Sequence, residues 1–426
     1  MKQERAETLT IAGAPRQQPQ GHFLVADHPQ RALIERLIAL TNYPPVEILV
    51  DGQRVYTTPD AAGRLLLRDS TTLGKLVRHP EFQLGELYSS GDIDIEGDFA
   101  TLLEAIFRKL PERHERPLWI RLLGQLYLLR NNTINRAAHN IHHHYDIGNE
   151  FYRLWLDREA MQYTCGYFPS PEATLEEAQV AKLDHVCRKL DLQPGQSVVE
   201  AGCGWGGLAR HMARHYGVKV KAYNISREQV AFAREKAAAE GLAEQVEYVL
   251  DDYRNIQGQY DVFVSVGMLE HVGVKNYPTL GRVIRQSLKP DGRALVHSIG
   301  RNRPAPMNIW IEKRIFPGAY PPSIGQFCQI FEPNSLSVLD VENIRLHYAL
   351  TLRHWLERFE DNLDRVNAMF DGRFARMWRF YLASSIAAFA CGELQLFQFV
   401  VSHSRNNDVP MTRDFLYRRD QDHGIP

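Results

Sequence analysis

No two of the five cysteines, Cys165, Cys187, Cys203, Cys328 and Cys391, stand at C-x-x-C spacing. That absence argues against a zinc ribbon, and an odd, widely spaced set argues against a disulfide framework. A reducing, cytoplasmic setting is the expectation. Charge of one sign is also missing: 50 Lys and Arg face 51 Asp and Glu. A strongly basic nucleic-acid binder is therefore not expected, and no nucleic-acid partner is. The N-terminal "MKQERAETLTIAGAPRQQPQ" has no apolar run, so residues 1–21 read as a disordered tail rather than a signal peptide. The most apolar late stretch, "FYLASSIAAFACGELQLFQFVV", is broken by paired serines and Glu393 and falls short of a spanning helix. Any membrane contact is then peripheral. Repeats and low-complexity tracts are lacking as well.

With 44% apolar and 24% charged residues, a core can form, and 426 residues are too many for one compact core. Residues 22–110 mix short strands and helices. There, "PPVEILVDGQRVY" reads as a hairpin turning at Asp51-Gly52, and "LGELYSSGDIDIEGDFATLLEAIF" as a turn followed by a helix. No catalytic constellation is visible in this small α+β domain, which suits packing, lipid docking or dimerisation. Residues 111–138 read as a linker helix. Trp119, Ile120, Leu122, Leu123, Leu126, Leu128 and Leu129 crowd it beside Arg121 and Arg130, a pattern that also suits a membrane surface. The catalytic domain is expected over 139–405, with a C-terminal tail from 406 to 426.

From about residue 195 the rhythm changes. "SVVEAG", "KVKAYNI", "VEYVLDD", "YDVFVSVG" and "RALVHSI" are strand-like, and helical stretches separate the first three. Such alternation implies an α/β domain built on a parallel sheet, with ligands beyond the carboxyl ends of the strands. The sharpest motif is "VVEAGCGWGGLA". A strand ending in Glu200 runs into Gly202, Gly204 and Gly206 before a helix. Glycines let the backbone turn tightly and a ligand approach closely. Alone, the loop also suits a dinucleotide or a packing turn. With the acidic residue ahead of the first glycine, it resembles the first motif of class I S-adenosylmethionine (SAM) methyltransferases.

Further groups follow at later strand ends. Asn224 is placed to meet ribose hydroxyls, Ser226 to cap a helix, and Gln229 to face back toward the cleft. Asp252, Tyr253 and Arg254 are placed to border an adenine, although each residue equally suits an ordinary capped turn. Glu270, His271 and His297 stand at the carboxyl ends of the fourth and fifth strands, where acid–base groups belong. A satisfied buried histidine is the plainer reading of His271.

Together, "HHYDIGNEFYRLWLD", "MQYTCGYF", "TLEEAQVAKLD", "PGQSVVEAGCGWGGLA", "DVFVSVGMLEHVGVKNY", "WIEKRIFPGAYPPS", "VENIRLHYALTLRHW" and "RFYLASSIAAF" resemble the cyclopropane-fatty-acyl-phospholipid synthases, relatives of the mycolic acid cyclopropane synthases. They cover about 140 to 402. "LGELYSSGDIDIEGD" resembles the N-terminal domain of the phospholipid-acting members. The resemblance implies a class I SAM-methyltransferase (Rossmann-like) domain behind the smaller N-terminal domain. It also implies SAM-dependent methylene transfer to cis double bonds of phospholipid acyl chains, at the inner membrane face, by a homodimer. A bicarbonate ion would act as base, held by Glu270, His297, Tyr348 and, through backbone groups, Cys165 and Ile299. The implied SAM contacts are Tyr163, Thr164, Gly202, Gly204, Asn224, Gln229, Tyr253 and Arg254; Glu200, Gly206 and Asp252, read from the residues themselves, and Tyr145 are further cofactor-side candidates. Glu200 stands where the family commonly has Asp, and Asn224 where Thr is common.

Three alternatives stay open. The same alkene methylation could end in a methylene- or methyl-branched chain. A small amine could be N-methylated instead. The chain could also be a non-catalytic lipid- or metal-binding protein. The metal reading draws on His139, His142, His143 and His144. Successive helical residues point about 100° apart, so three in a row cannot face one ion. His139 and His143 could share a face but lack an evident third ligand, and no metal is expected.

Overall fold

A computed structural model describes residues 23–24, 28–110 and 147–417. Among them, β1 (Phe23–Leu24), β2 (Glu47–Val50), β3 (Gln53–Thr57), β4 (Arg64–Leu67) and β5 (Ile93–Glu96) form one sheet in the order β1-β3-β2-β4-β5. The hairpin expected at Asp51-Gly52 is present. Val50 pairs with Gln53, and both turn residues take positive φ, 51° and 74°. This is the twist that a two-residue hairpin favours.

The segment after it corrects the sequence reading. "LGELYSS" is not a turn but the end of the helix Pro80–Ser90, which stops at left-handed Gly91. "IDIE" is β5, paired antiparallel to β4, and Asp98 then caps the helix Phe99–Lys109 through the Thr101 N–H. A four-residue strand stabilised by a partner some thirty positions earlier leaves only a faint local signal.

The second sheet contains β6 (Ser197–Ala201), β7 (Lys219–Asn224), β8 (Val246–Leu250), β9 (Tyr260–Val266), β10 (Leu288–Gly300), β11 (Leu336–Asn343) and β12 (Gln395–His403). Its order is β11-β12-β10-β9-β6-β7-β8. The strands from β10 to β8 are parallel, as the sequence implied, but β12 runs antiparallel to both β10 and β11. The sheet is therefore mixed rather than purely parallel. β12 went unread because it is buried at all but its last position, so it lacks strand alternation and merges with the apolar helix before it. That helix, Gly372–Ala390, ends just before Gly392, whose φ is 79°. Among the described residues, no helix is long and apolar enough to cross a membrane.

Strand order reverses between β6 and its neighbours β7 and β9, which places a crevice beyond their carboxyl ends. The helices Arg345–Asp361 and Gly372–Ala390 pack on each other above it. The small N-terminal unit rests on this cap. Phe380 lies 5.9 Å from Tyr88 and 4.8 Å from Trp310, ring centre to ring centre. Arg376 lies 4.1 Å from the centre of the Tyr88 ring and donates to the Tyr88 and Ile93 carbonyls. One apolar cluster thus runs from Ile34 to Leu396 across both units. At the other end, Leu416 of the short helix Asp414–Tyr417 is buried.

Gly85 fits against the Trp310 indole so closely that a Cβ there would fall 2.5 Å from a ring carbon. Gly85→Ala should lower stability by about 1–2 kcal/mol in chemical denaturation, because overpacking outweighs the helix-propensity gain of about 1 kcal/mol. A more stable variant would show that the two units do not pack this tightly.

Candidate active site

The first wall of the crevice is the glycine loop after β6. Gly206 has φ 78°, and a Cβ on it would strike the Tyr248 ring; the Tyr248 hydroxyl donates to the Gly206 carbonyl at 2.9 Å. Gly206 therefore serves packing. Gly204, with φ 54°, has nothing within 4 Å of such a Cβ, so its backbone is open to a ligand. Gly202 lies against Met268, on the turn that carries Glu270. Trp205 donates to Asn149 Oδ1 at 2.7 Å and its ring lies 4.9 Å from Tyr152. These contacts fasten the end of "HHYDIGNEFY" onto the loop. Tyr145 and the four histidines lie outside the described residues.

Asn224 ends β7 facing this loop. Its amide donates to the Gly204 carbonyl and to Gln229 Oε1, and its Oδ1 accepts from the Ile225 and Ser226 N–H groups. Its full bonding capacity is thus used within the turn. Ser226 caps the helix Arg227–Ala239 as expected, through the Gln229 N–H. At the end of β8, Arg254 grips Asp252 through two nitrogens, at 2.7 and 2.9 Å, and its guanidinium carbon lies 5.3 Å from the Tyr253 ring centre. The Tyr253 hydroxyl is buried with no partner among the described residues.

Glu200 is buried as well, and its Oε2 lacks a partner among the described residues. Burial pushes its carboxyl up to about 8, against the opposing pull of Lys182 and Arg210. An orphaned carboxyl oxygen at the end of β6, an orphaned phenol after β8 and the open backbone of Gly204 are groups of the kind that a ligand with an ammonium group and a nucleoside, as SAM is, would use.

Lys182 is the main residue that sequence reading missed. Its side chain is wholly buried and Nζ donates to Gln162 Oε1 and, at 3.0 Å, to Thr164 Oγ1. Burial lowers its pKa to about 8, with Asp157 the leading opposing influence. From the same helix, Leu175–Lys189, Gln179 donates to the Thr164 carbonyl at 2.8 Å. These two residues, with Asp157 accepting from the Ala160 and Gln162 N–H groups, hold the loop that carries Tyr163, Thr164 and Cys165. The available signal was that Gln179 and Lys182 share a stripe with Leu175, Ala178, Leu183 and Val186.

The opposite wall is built from the ends of β9 and β10. Glu270 sits on the short turn Leu269–His271, and its Oε1 accepts from the Ile299 N–H at 2.6 Å. Its Oε2 is buried without a partner among the described residues. Burial pushes this carboxyl up to about 7, with the backbone donors and Ser298 pulling the other way. His297 is buried and neutral, its pKa lowered to about 3, and Nδ1 lies 3.0 Å from Gln398 Nε2. His271 is likewise held neutral by burial, at about 4.

Burial raises the Cys165 thiol far above its ordinary range, so it stays protonated and weakly nucleophilic. Thr351 lies 3.9 Å from Cys165 Sγ and accepts from the Gly166 N–H. Tyr348 is one helical turn before Thr351, with its ring 4.6 Å from Phe389. Of the five expected base-holding residues, Glu270 and Ile299 are joined directly, Cys165 lies beside the turn of Tyr348, and His297 is bonded to Gln398. The Ile299 N–H is already taken by Glu270. The structure also assembles an aromatic cluster that sequence reading did not. The Tyr163 and Tyr381 hydroxyls are 2.9 Å apart, and Tyr163 packs against Trp155 and Trp355 at 5.3 and 5.4 Å. Phe316 reaches Tyr381 at 5.5 Å. These residues come from distant segments, so no spacing joins them.

Residues 132–399 match the family model described as mycolic acid cyclopropane synthetase. A probable fatty acid methyltransferase of Pseudomonas putida is 34% identical over 392 residues, 87% of this chain and 95% of that protein. The cyclopropane-fatty-acyl-phospholipid synthase of Escherichia coli (strain K12) is 42% identical over 272 residues, 63% of this chain and 69% of that protein. Among solved structures, mycolic acid cyclopropane synthase CmaA1 complexed with SAH and CTAB superposes with a TM-score of 0.59 at 29% identity, covering 62% of this chain and 97% of that one.

The raised pKa of Glu270 makes a prediction about stability. A carboxyl whose folded pKa lies above its unfolded value stabilises most at low pH, and that contribution fades as pH climbs from about 4.5 through about 7. Glu270→Gln removes the ionisation, so at pH 8 the ligand-free variant should be the more stable by up to about 3 kcal/mol. The gap should close toward pH 5 in urea titrations. A gap independent of pH would place Glu270 in a wetter setting than its burial indicates.

Proposed function

Because the chain belongs to the mycolic acid cyclopropane synthetase family and is a SAM-dependent methyltransferase, we propose that it converts cis double bonds of unsaturated phospholipid acyl chains to cyclopropanes. The observation that carries this reading is a half-satisfied buried carboxyl, Glu270, beside an aromatic-walled crevice whose thiol is protonated. SAM supplies a methyl group on a positively charged sulfur. An alkene is a weak nucleophile, so the residues contribute mainly alignment and exclusion of water. The faces of Tyr163, Trp155, Trp355, Tyr381 and Phe316 suit the carbocation that methylation of an alkene leaves behind, and they stabilise it without capturing it. The protonated Cys165 does not trap it either.

Ring closure needs a proton removed from the new methyl group. Bicarbonate, held by Glu270, His297, Tyr348 and Cys165, would supply the base, with Ile299 contributing through its N–H bond to Glu270. Glu270 Oε2 is the free acceptor suited to its hydroxyl. We further propose that the enzyme works as a homodimer on phospholipid at the cytoplasmic membrane face. A second reading, methyl transfer ending in a methylene- or methyl-branched chain, draws support from the fatty acid methyltransferase relative, which covers more of the chain.

Purified protein incubated with SAM and vesicles of cis-monounsaturated phospholipid should yield acyl chains with cyclopropyl protons in NMR spectra. Chains that gain carbon but show methylene or methyl-branch signals would establish the second reading, and methylation of a small amine with no lipid change would overturn both. Glu270→Gln should lower kcat by about 100-fold or more while SAM affinity stays within about twofold. Turnover at the wild-type rate in that variant would remove Glu270 from the mechanism.

A further inference from the structure

β12 pairs with β10 so that Gln398 stands directly opposite His297. On the same face of β12, the neighbours of Gln398 are Leu396 and Val400, both buried in apolar clusters. Gln398 itself is 0% exposed. An amide in such a row costs free energy unless it is bonded, and any apolar residue would pack there more cheaply. Its one hydrogen bond among the described residues is the 3.0 Å contact between Nε2 and His297 Nδ1; Oε1 has no partner among them.

We propose that Gln398 is a positioning residue for the reaction: its amide donates to His297 Nδ1, which fixes the ring as the neutral tautomer with the proton on Nε2. A histidine tautomer is set by the bond that its other nitrogen makes. When a carboxylate accepts from Nδ1–H, Nε2 is left as a base. Here the order is reversed. A donor occupies Nδ1, so Nε2 carries the proton and His297 offers a hydrogen bond to an anion rather than accepting a proton. The charged and titratable groups near the ring are Lys182, Lys189 and His185, which disfavour an imidazolium, and Glu342, which favours one. Glu342 is engaged by His185 and Lys189. The proton-accepting role therefore falls to the side of the site that holds Glu270. This inference rests on the activity proposed above for its meaning, but its structural claim can be tested without it.

Full-length protein labelled with 15N-histidine, with His297 assigned by difference from His297→Gln, reports the tautomer through two-bond nitrogen–proton couplings. The wild-type ring should be neutral with Nε2 protonated from about pH 6 to about pH 8.5. Ionised, Gln398→Glu supplies only acceptors, so above the pH at which that buried carboxyl loses its proton the ring should switch to Nδ1–H, and turnover there should fall at least about tenfold with SAM affinity within about twofold. Gln398→Leu removes the donor and should give a mixed tautomer with intermediate turnover. A wild-type ring protonated on Nδ1 would overturn the proposal, as would a Gln398→Glu enzyme that switches tautomer and keeps wild-type turnover. If the glutamate variant does not fold, the wild-type tautomer decides. A ring protonated on Nε2 in a protein that makes no cyclopropane would sink the proposed activity and support the positioning of His297. An Nδ1–H ring in a protein that does make cyclopropane would sink the positioning role alone.

Discussion

The hydrogen bond from the Ile299 N–H to Glu270 is the contact on which the crevice depends. It ties the end of β10 to the turn after β9, and it satisfies one carboxyl oxygen while the other has no partner among the described residues. A buried carboxyl with one satisfied oxygen is costly, and this one keeps its proton more readily than an exposed glutamate does. The site tolerates that cost because the groups around it are neutral or protonated. His297, His271 and Cys165 all have burial as the leading cause of their shifts. In the proposed reaction the same dryness would keep water away from the cationic intermediate.

Two buried cations act outside this wall. Lys182 fastens the loop of Tyr163 to Cys165, and Lys189 engages Glu342, which also accepts from His185. Both come from the helix Leu175–Lys189, which packs against the helix that follows the glycine loop and bonds to Thr164. The loop of Tyr163 to Cys165 and the helix after the glycine loop are thereby held by one element. Precision in such sites comes from support of this kind behind the contacting groups.

The helix Gly372–Ala390 joins the other halves. One of its faces supplies Trp378 and Tyr381 to the aromatic wall, and another gives Arg376 and Phe380 to the N-terminal unit. Substitutions in the N-terminal unit at Tyr88 or Gly85 therefore bear on an element that lines the crevice. The small unit is thus a support for the site.

Local pattern determined a good deal. The alternation of strands and helices from residue 195, the glycine loop with Glu200, the cap at Ser226 and the turn at Asp51-Gly52 all rest on neighbours in the chain, so they are legible without a fold. Glu270, His297 and Tyr348 could be named because motif resemblance reaches each one separately. What only the tertiary structure decided is where long-range partners meet. The antiparallel β12 has no alternation because both of its faces are buried. Lys182 shares a helical stripe with apolar residues, but a long lysine side chain on such a stripe usually reaches solvent, so its full burial shows only in the fold. Gln398 gains meaning only from the strand register that sets it against His297. Desolvation and pairing across the chain create these roles, and neither is a property of any short stretch of residues.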